Sequence, residues 1–254
     1  MKTLAVARFT LLRLYRSNYV LAALLILGLV LFMLLISKSV ADASDLNMTH
    51  NAARMILWLL AIWLGISVVQ ADRADGTLRS TLTRPVSLLE VMIGKLLGAF
   101  FFICLLAAAL SAFITLGAYF KGTAVGWASV LYQVSLLPVY FIVLALAMAL
   151  SQVTPRFVAG LAVLLAWDGL FKANVVAAIL PRLPQGLADV FQALCRVAYY
   201  LAPPTSTFFI TYRDFARGSW AVDSYTYFLL LPYALHYAFL ACLLATWALS
   251  REEL

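Results

Sequence analysis

The chain has 254 residues, of which 65% are hydrophobic and only 11% charged, and its mean hydropathy is +0.99. Apolar surface on that scale excludes a soluble globular protein and marks a polytopic membrane protein, whose spans and connections use nearly all the length and leave no separate folded catalytic domain. The net charge of +7 and pI near 9.5 fit basic helix ends beside anionic headgroups, so the expected surroundings are a lipid bilayer, with no nucleic acid as a partner.

In residues 1–18, Leu4, Ala7, Leu11 and Leu14 recur at helical spacing while Lys2, Arg13 and Arg16 project elsewhere. That pattern predicts a helix along the headgroup layer, an elbow into the first span. A basic tail that only sets topology is the plainer alternative. The first span runs from about Tyr19 to Ile36, near the roughly 20 residues a helix needs to cross. Ala41-Asp42-Ala43 looks like a signal-peptidase site, but the apolar run exceeds the ~7 to 15 residues of a signal peptide, so the span is expected to be retained. Asn47-Met48-Thr49 matches a glycosylation sequon, a pattern too short to weigh much. The second span is predicted from about Ala52 to Val69.

The stretch from Gln70 to Lys95, which contains the connection 70–90, holds seven charged residues: Asp72, Arg73, Asp75, Arg79, Arg84, Glu90 and Lys95. Asp75-Gly76 is a turn signal, and Thr77 can cap a short helix whose Leu78 and Leu82 share a face, with Arg79 beside them. Pro85 disfavours helical geometry at Arg84 and ends that helix. Ser87 and Glu90 have capping-box spacing, so the third span should begin at Ser87. Two readings stay open: a rigid cytoplasmic foot joined tightly to two spans, or a solvated loop whose charges only fix topology. Inside the third span, Gly94 and Gly98 let another helix approach closely, and Lys95 is expected to snorkel to the cytoplasmic interface.

Further apolar runs cover about Glu90 to Leu116, Ala128 to Leu150, Phe157 to Ala177 and Tyr227 to Leu249, which makes six spans. Long uninterrupted runs lack the alternation of barrel strands, so the fold is all-α. The short loop Gln152 to Arg156 is a candidate minor contact with a cytoplasmic partner. In the fifth span Asp168 and Lys172 share a helix face and can pair. Burying such groups costs ~2.5 to 3.5 kcal/mol each, which makes them functional candidates. At ~1.5 Å per residue Asp168 lies past the midplane and Lys172 near the outer face, so a self-neutralised pair at the external mouth is the competing reading.

The connection 178–226 is expected outside. Pro181 and Pro184 break the chain there, Leu187, Val190, Phe191 and Leu194 begin an apolar helical stripe, and Tyr199, Tyr200, Phe208, Phe209, Tyr212 and Phe215 form an aromatic belt. Basic residues concentrate in the N-terminal arm (Lys2, Arg8, Arg13, Arg16) and in the 70–90 connection (Arg73, Arg79, Arg84), which places the N-terminus, that connection and the C-terminus in the cytoplasm.

"GTLRSTLTRPVSLLEVMIGK", Gly76 to Lys95, resembles the signature connection of permease subunits of type-2 ATP-binding-cassette (ABC) exporters, where a Gly-Thr-Leu, a Pro-Val-Ser and a Gly-Lys recur in that order. "APPTSTF" at Ala202 to Phe208 and the terminal "SREEL" are similar in character to family features, and the six-span layout covers the whole chain. The resemblance implies one transmembrane domain over 1–254, paired with a second permease copy or a paralogue in the inner (cytoplasmic) membrane. It also implies a cytoplasmic ABC ATPase subunit on which the short helix after Gly76, a coupling helix, is seated. Re-entrant external helices before the last span are a further implication; a plain amphipathic loop is the alternative. The family has a Glu-rich lead-in to the Gly-Thr, whereas this chain has Asp72, Arg73 and Asp75.

No Gly-x-x-x-x-Gly-Lys-[Ser/Thr] occurs, so no cofactor is expected in this chain, and ATP and Mg belong on the partner ATPase. His50 and His236 are far apart, and a histidine within the last span more often packs or hydrogen-bonds than binds a metal. Cys104, Cys195 and Cys242 are widely spaced and read as packing residues. The resulting expectation is a non-enzymatic permease that moves an unidentified, amphiphilic substrate outward. The alternatives are a non-transporting scaffold, a permease of a metalloenzyme-maturation system, or an intramembrane enzyme.

Overall fold

The computed structural model describes residues 2–16, 25, 28, 43–74, 86–120, 128–165, 184–187, 189 and 224–252. Six helices of ten residues or more lie among them: α1 (Lys2–Arg16), α2 (Ala43–Ala74), α3 (Leu88–Phe120), α4 (Ala128–Val153), α5 (Arg156–Leu165) and α6 (Ser224–Glu252). No strand occurs among the described residues. Four of the helices, α2, α3, α4 and α6, are long and apolar enough to cross a membrane. The elements described are thus all helical, and the chain is a multi-pass membrane protein. Of the expected first span only Leu25 and Gly28 are described, both helical. The second half of the fifth span and most of 178–226 lie outside the described residues.

Helix α4 is the hub, with 72% of its spanning segment buried against 39% for α6. It packs on α2, α3, α5 and α6, while α1 lies against α3. Lipid is as apolar as leucine, so burying large side chains gives little drive for association; close backbone approach gives more. Accordingly α6 turns Ala234, Ala238, Ala241, Cys242, Ala245 and Ala248 inward and leaves Leu235, Phe239, Leu243 and Trp247 exposed. On α2, Gly65 lies so near α4 that a Cβ there would stand 2.5 Å from the Leu144 carbonyl oxygen and 2.7 Å from Ala147 Cβ.

Two details differ from the sequence expectation. Helix α2 begins at Ala43 rather than near Ala52. Within its extra turns His50 finds partners on α4: it is fully buried, with Nε2 3.1 Å from Ser129 Oγ and Nδ1 3.4 Å from Gln133 Nε2. Buried polar groups matched in this way avoid the cost of leaving water unpaired. His236, in contrast, is on the exposed face of α6. Cys104 is half-buried and Cys242 buried, both as free thiols.

Candidate coupling site at the end of α2 and the start of α3

The start of α3 is fixed by reciprocal hydrogen bonds. The Glu90 amide donates to Ser87 Oγ at 3.2 Å, and the Ser87 amide donates to Glu90 Oε2 at 2.9 Å. The Ser87 hydroxyl also lies 3.1 Å from that carboxylate oxygen, and the Val91 amide closes the first turn on the Ser87 carbonyl at 3.1 Å. Donors that a helix start leaves unmatched are thereby satisfied, which holds the backbone to a single direction as it enters α3.

One turn further in, Gly94 and Gly98 receive α1. A Cβ on Gly94 would stand 2.7 Å from Val6 Cβ, and one on Gly98 would stand 2.6 Å from the Ala7 carbonyl oxygen and 2.7 Å from Thr10 Cβ. Helix α1 buries Ala7, Thr10 and Leu14 and packs Leu11 partly against the core, so the expected stripe holds except at Leu4, which is exposed. Where the two backbones come closest, the side chains of α1 facing the glycines are the β-branched Val6 and Thr10.

Lys95 sits between these glycines, and here the sequence expectation is corrected. It does not snorkel to the interface. It is 4% exposed and donates to Asp72 Oδ2, with the Val68 carbonyl 3.4 Å from Nζ. Arg13 of α1 donates to the other oxygen, Asp72 Oδ1. Asp72 itself is 8% exposed and lies in the last turn of α2, where the helix dipole already concentrates negative charge. A buried carboxylate at that end needs cations, and two helices supply one each. Three elements therefore meet on one side chain.

Beside this triad is a cavity of about 150 Å³ lined by Phe9, Thr10, Arg13 and Leu14 of α1 and Ser67, Val68, Ala71 and Asp72 of α2. The neighbouring Gln70 donates through Nε2 to the Ser151 carbonyl at 3.0 Å, which ties the same end of α2 to the end of α4. No group of three or more His, Cys, Asp or Glu side chains that could hold a metal occurs among the described residues.

Asp75, Gly76, Thr77, Leu78, Arg79, Leu82 and Pro85 lie outside the described residues, as do Asp168 and Lys172; the structure describes only the two ends between which the first group runs. Sequence reasoning missed the triad, although a signal was present. Asp72 and Lys95 carry opposite charges near the facing ends of two consecutive apolar helices, α2 and α3. It also missed Arg54, a cation inside the second span.

The family model described as "ABC-2 family transporter protein" matches residues 26–254. No curated protein matches the chain. With more than half of its length so matched, the chain belongs to the ABC-2 family of transporter proteins and is a membrane permease component of an ABC system.

Proposed function

We propose that this chain is the permease subunit of an ABC exporter, in which ATP and Mg bound on a separate cytoplasmic ATPase drive outward movement of an amphiphilic substrate. Two permease subunits, identical or paralogous, form the transmembrane unit in the inner membrane, with both termini of each chain cytoplasmic. Residues 1–254 act as one transmembrane domain: 1–18 is the interfacial elbow, 70–90 the coupling connection and 178–226 the extracytoplasmic connection. Asp75, Gly76, Thr77, Leu78, Arg79, Leu82 and Pro85 form the contact with the ATPase, and Asp168 and Lys172 line the pathway.

One observation carries this reading: the two helices that bracket the connection are locked to each other and to α1 by Asp72, Lys95 and Arg13. A push on the connection then moves α2 and α3 together instead of being absorbed in loose helix ends. Helix α3 has 33 residues and is about 50 Å long at ~1.5 Å per residue, so a small tilt at its cytoplasmic end becomes a larger displacement at the other.

The test is ATPase copurification and nucleotide-driven transport in vesicles with Thr77→Pro and Leu78→Asp. Both variants should insert normally and lose the ATPase or its coupling to transport. Undiminished copurification and transport in both would remove the coupling role from 70–90, and copurification without any transport in the unaltered chain would favour a scaffold.

A further inference from the structure

Helix α1 packs along α3, and α2 packs along α3 and α4, but α1 and α2 do not pack along each other. The Arg13–Asp72 pair spans the gap between them, and beside it the gap stays open as the cavity of about 150 Å³. Its walls are largely apolar, with Phe9 and Leu14 contributed by α1 and Val68 and Ala71 by α2. An apolar cavity of that volume holds a benzene-sized ring.

The polar groups in the same walls narrow the choice of occupant. The Ser67 hydroxyl donates to the Trp63 carbonyl at 2.8 Å, and the Thr10 hydroxyl donates to the Val6 carbonyl at 2.9 Å, each within its own helix. A hydroxyl has one proton, so both side chains have only lone pairs left to offer a ligand. The occupant must therefore bring the donor. A charged head group of either sign is disfavoured, because an anion would meet the Asp72 carboxylate and a cation the Arg13 guanidinium, both in the lining. Those two charges already compensate each other, with Lys95 on the second carboxylate oxygen. What fits is an uncharged ring bearing a hydroxyl.

We infer that the α1–α2 cleft is a binding site for a small neutral phenol, its ring among Phe9, Leu14, Val68 and Ala71 and its hydroxyl donating to Ser67 Oγ or Thr10 Oγ1. The bound ring fills the space that the two helices leave and braces α1 against α2 beside the Arg13–Asp72 pair. This ligand is distinct from the amphiphile proposed as the transported substrate. Its binding is read out on the purified chain with no ATPase present, so the site stands or falls apart from the exporter reading.

The experiment is fluorine NMR of para-fluorophenol with the purified protein in neutral detergent, compared with protein-free micelles. The protein should broaden the ligand line saturably, and unlabelled phenol should reverse the broadening. The probe para-fluoroanisole has a similar shape without the donor and should bind severalfold more weakly, as should the charged para-fluorobenzoate and para-fluorobenzylamine. The double variant Thr10→Val with Ser67→Ala removes both acceptors and keeps the branched shape that packs on Gly98, so it should fold, weaken para-fluorophenol roughly tenfold and leave para-fluoroanisole unchanged. Ala71→Leu fills the cavity and should abolish the broadening without lowering Tm. Broadening no greater than in protein-free micelles, equal binding of para-fluorophenol and para-fluoroanisole, tighter binding of either charged probe, or para-fluorophenol binding unchanged in the double variant would overturn the site.

Discussion

Lys95 donates to Asp72 across the seam between α2 and α3, 23 positions apart in sequence, and the side chains are 5% and 11% exposed. Both charges have left water, so each depends on the other. Breaking a buried pair by removing one partner costs about 3 to 5 kcal/mol in comparable cases. Lys95→Met should therefore lower the unfolding free energy by about that much, less whatever Arg13 recovers from the freed carboxylate. Thermal or denaturant unfolding in detergent checks this. A loss no larger than that of an exposed ion pair would mean that water reaches the pair.

The α1–α3 contact makes a prediction that depends on sign. Adding a methyl group to a helical glycine gains about 1 kcal/mol of helix propensity. At Gly98 the new Cβ would meet the Ala7 carbonyl oxygen at 2.6 Å, a backbone atom that cannot rotate away. Overpacking of that kind costs about 1 to 3 kcal/mol and wins, so Gly98→Ala should lower Tm. At Gly160 the nearest atom is the flexible tip of Ile66 at 3.4 Å, so Gly160→Ala should be neutral or stabilising. Measuring the two melting temperatures side by side decides it; equal shifts would mean that α1 is not seated on α3.

The helices were legible because the bilayer imposes a length and an apolar character on each span, and the start of α3 because a capping box is local chemistry written within four residues, Ser87 to Glu90. What was not legible depended on long-range pairing. Arg13, Asp72 and Lys95 each have an adequate local explanation as a topology signal or a snorkelling cation, and only the crossing of three helices reveals them as one cluster. The start of α2 lies ahead of the span expected from Ala52 for the same reason, since the buried His50 is matched by Ser129 and Gln133 from α4.

Stability and transmission separate in the double variant Asp72→Leu with Lys95→Met. Replacing both members of a buried ion pair by apolar side chains of similar volume is commonly neutral or stabilising, so the double variant should recover most of what Lys95→Met loses. Arg13, whose side chain is 34% exposed, can turn to water once Asp72 is gone, so no charge is stranded. What the double variant cannot restore is a directional link: leucine and methionine slide past each other where a carboxylate held by two cations does not. If the triad carries motion from the connection into α2 and α3, the double variant should fold, retain the ATPase and hydrolyse ATP, yet transport at a rate reduced severalfold per ATP consumed. The ratio of transport to hydrolysis in reconstituted vesicles measures this directly. An unchanged ratio in a stably folded double variant would reduce the triad to a structural clasp and shift transmission to the packing of Gly94 and Gly98 against α1.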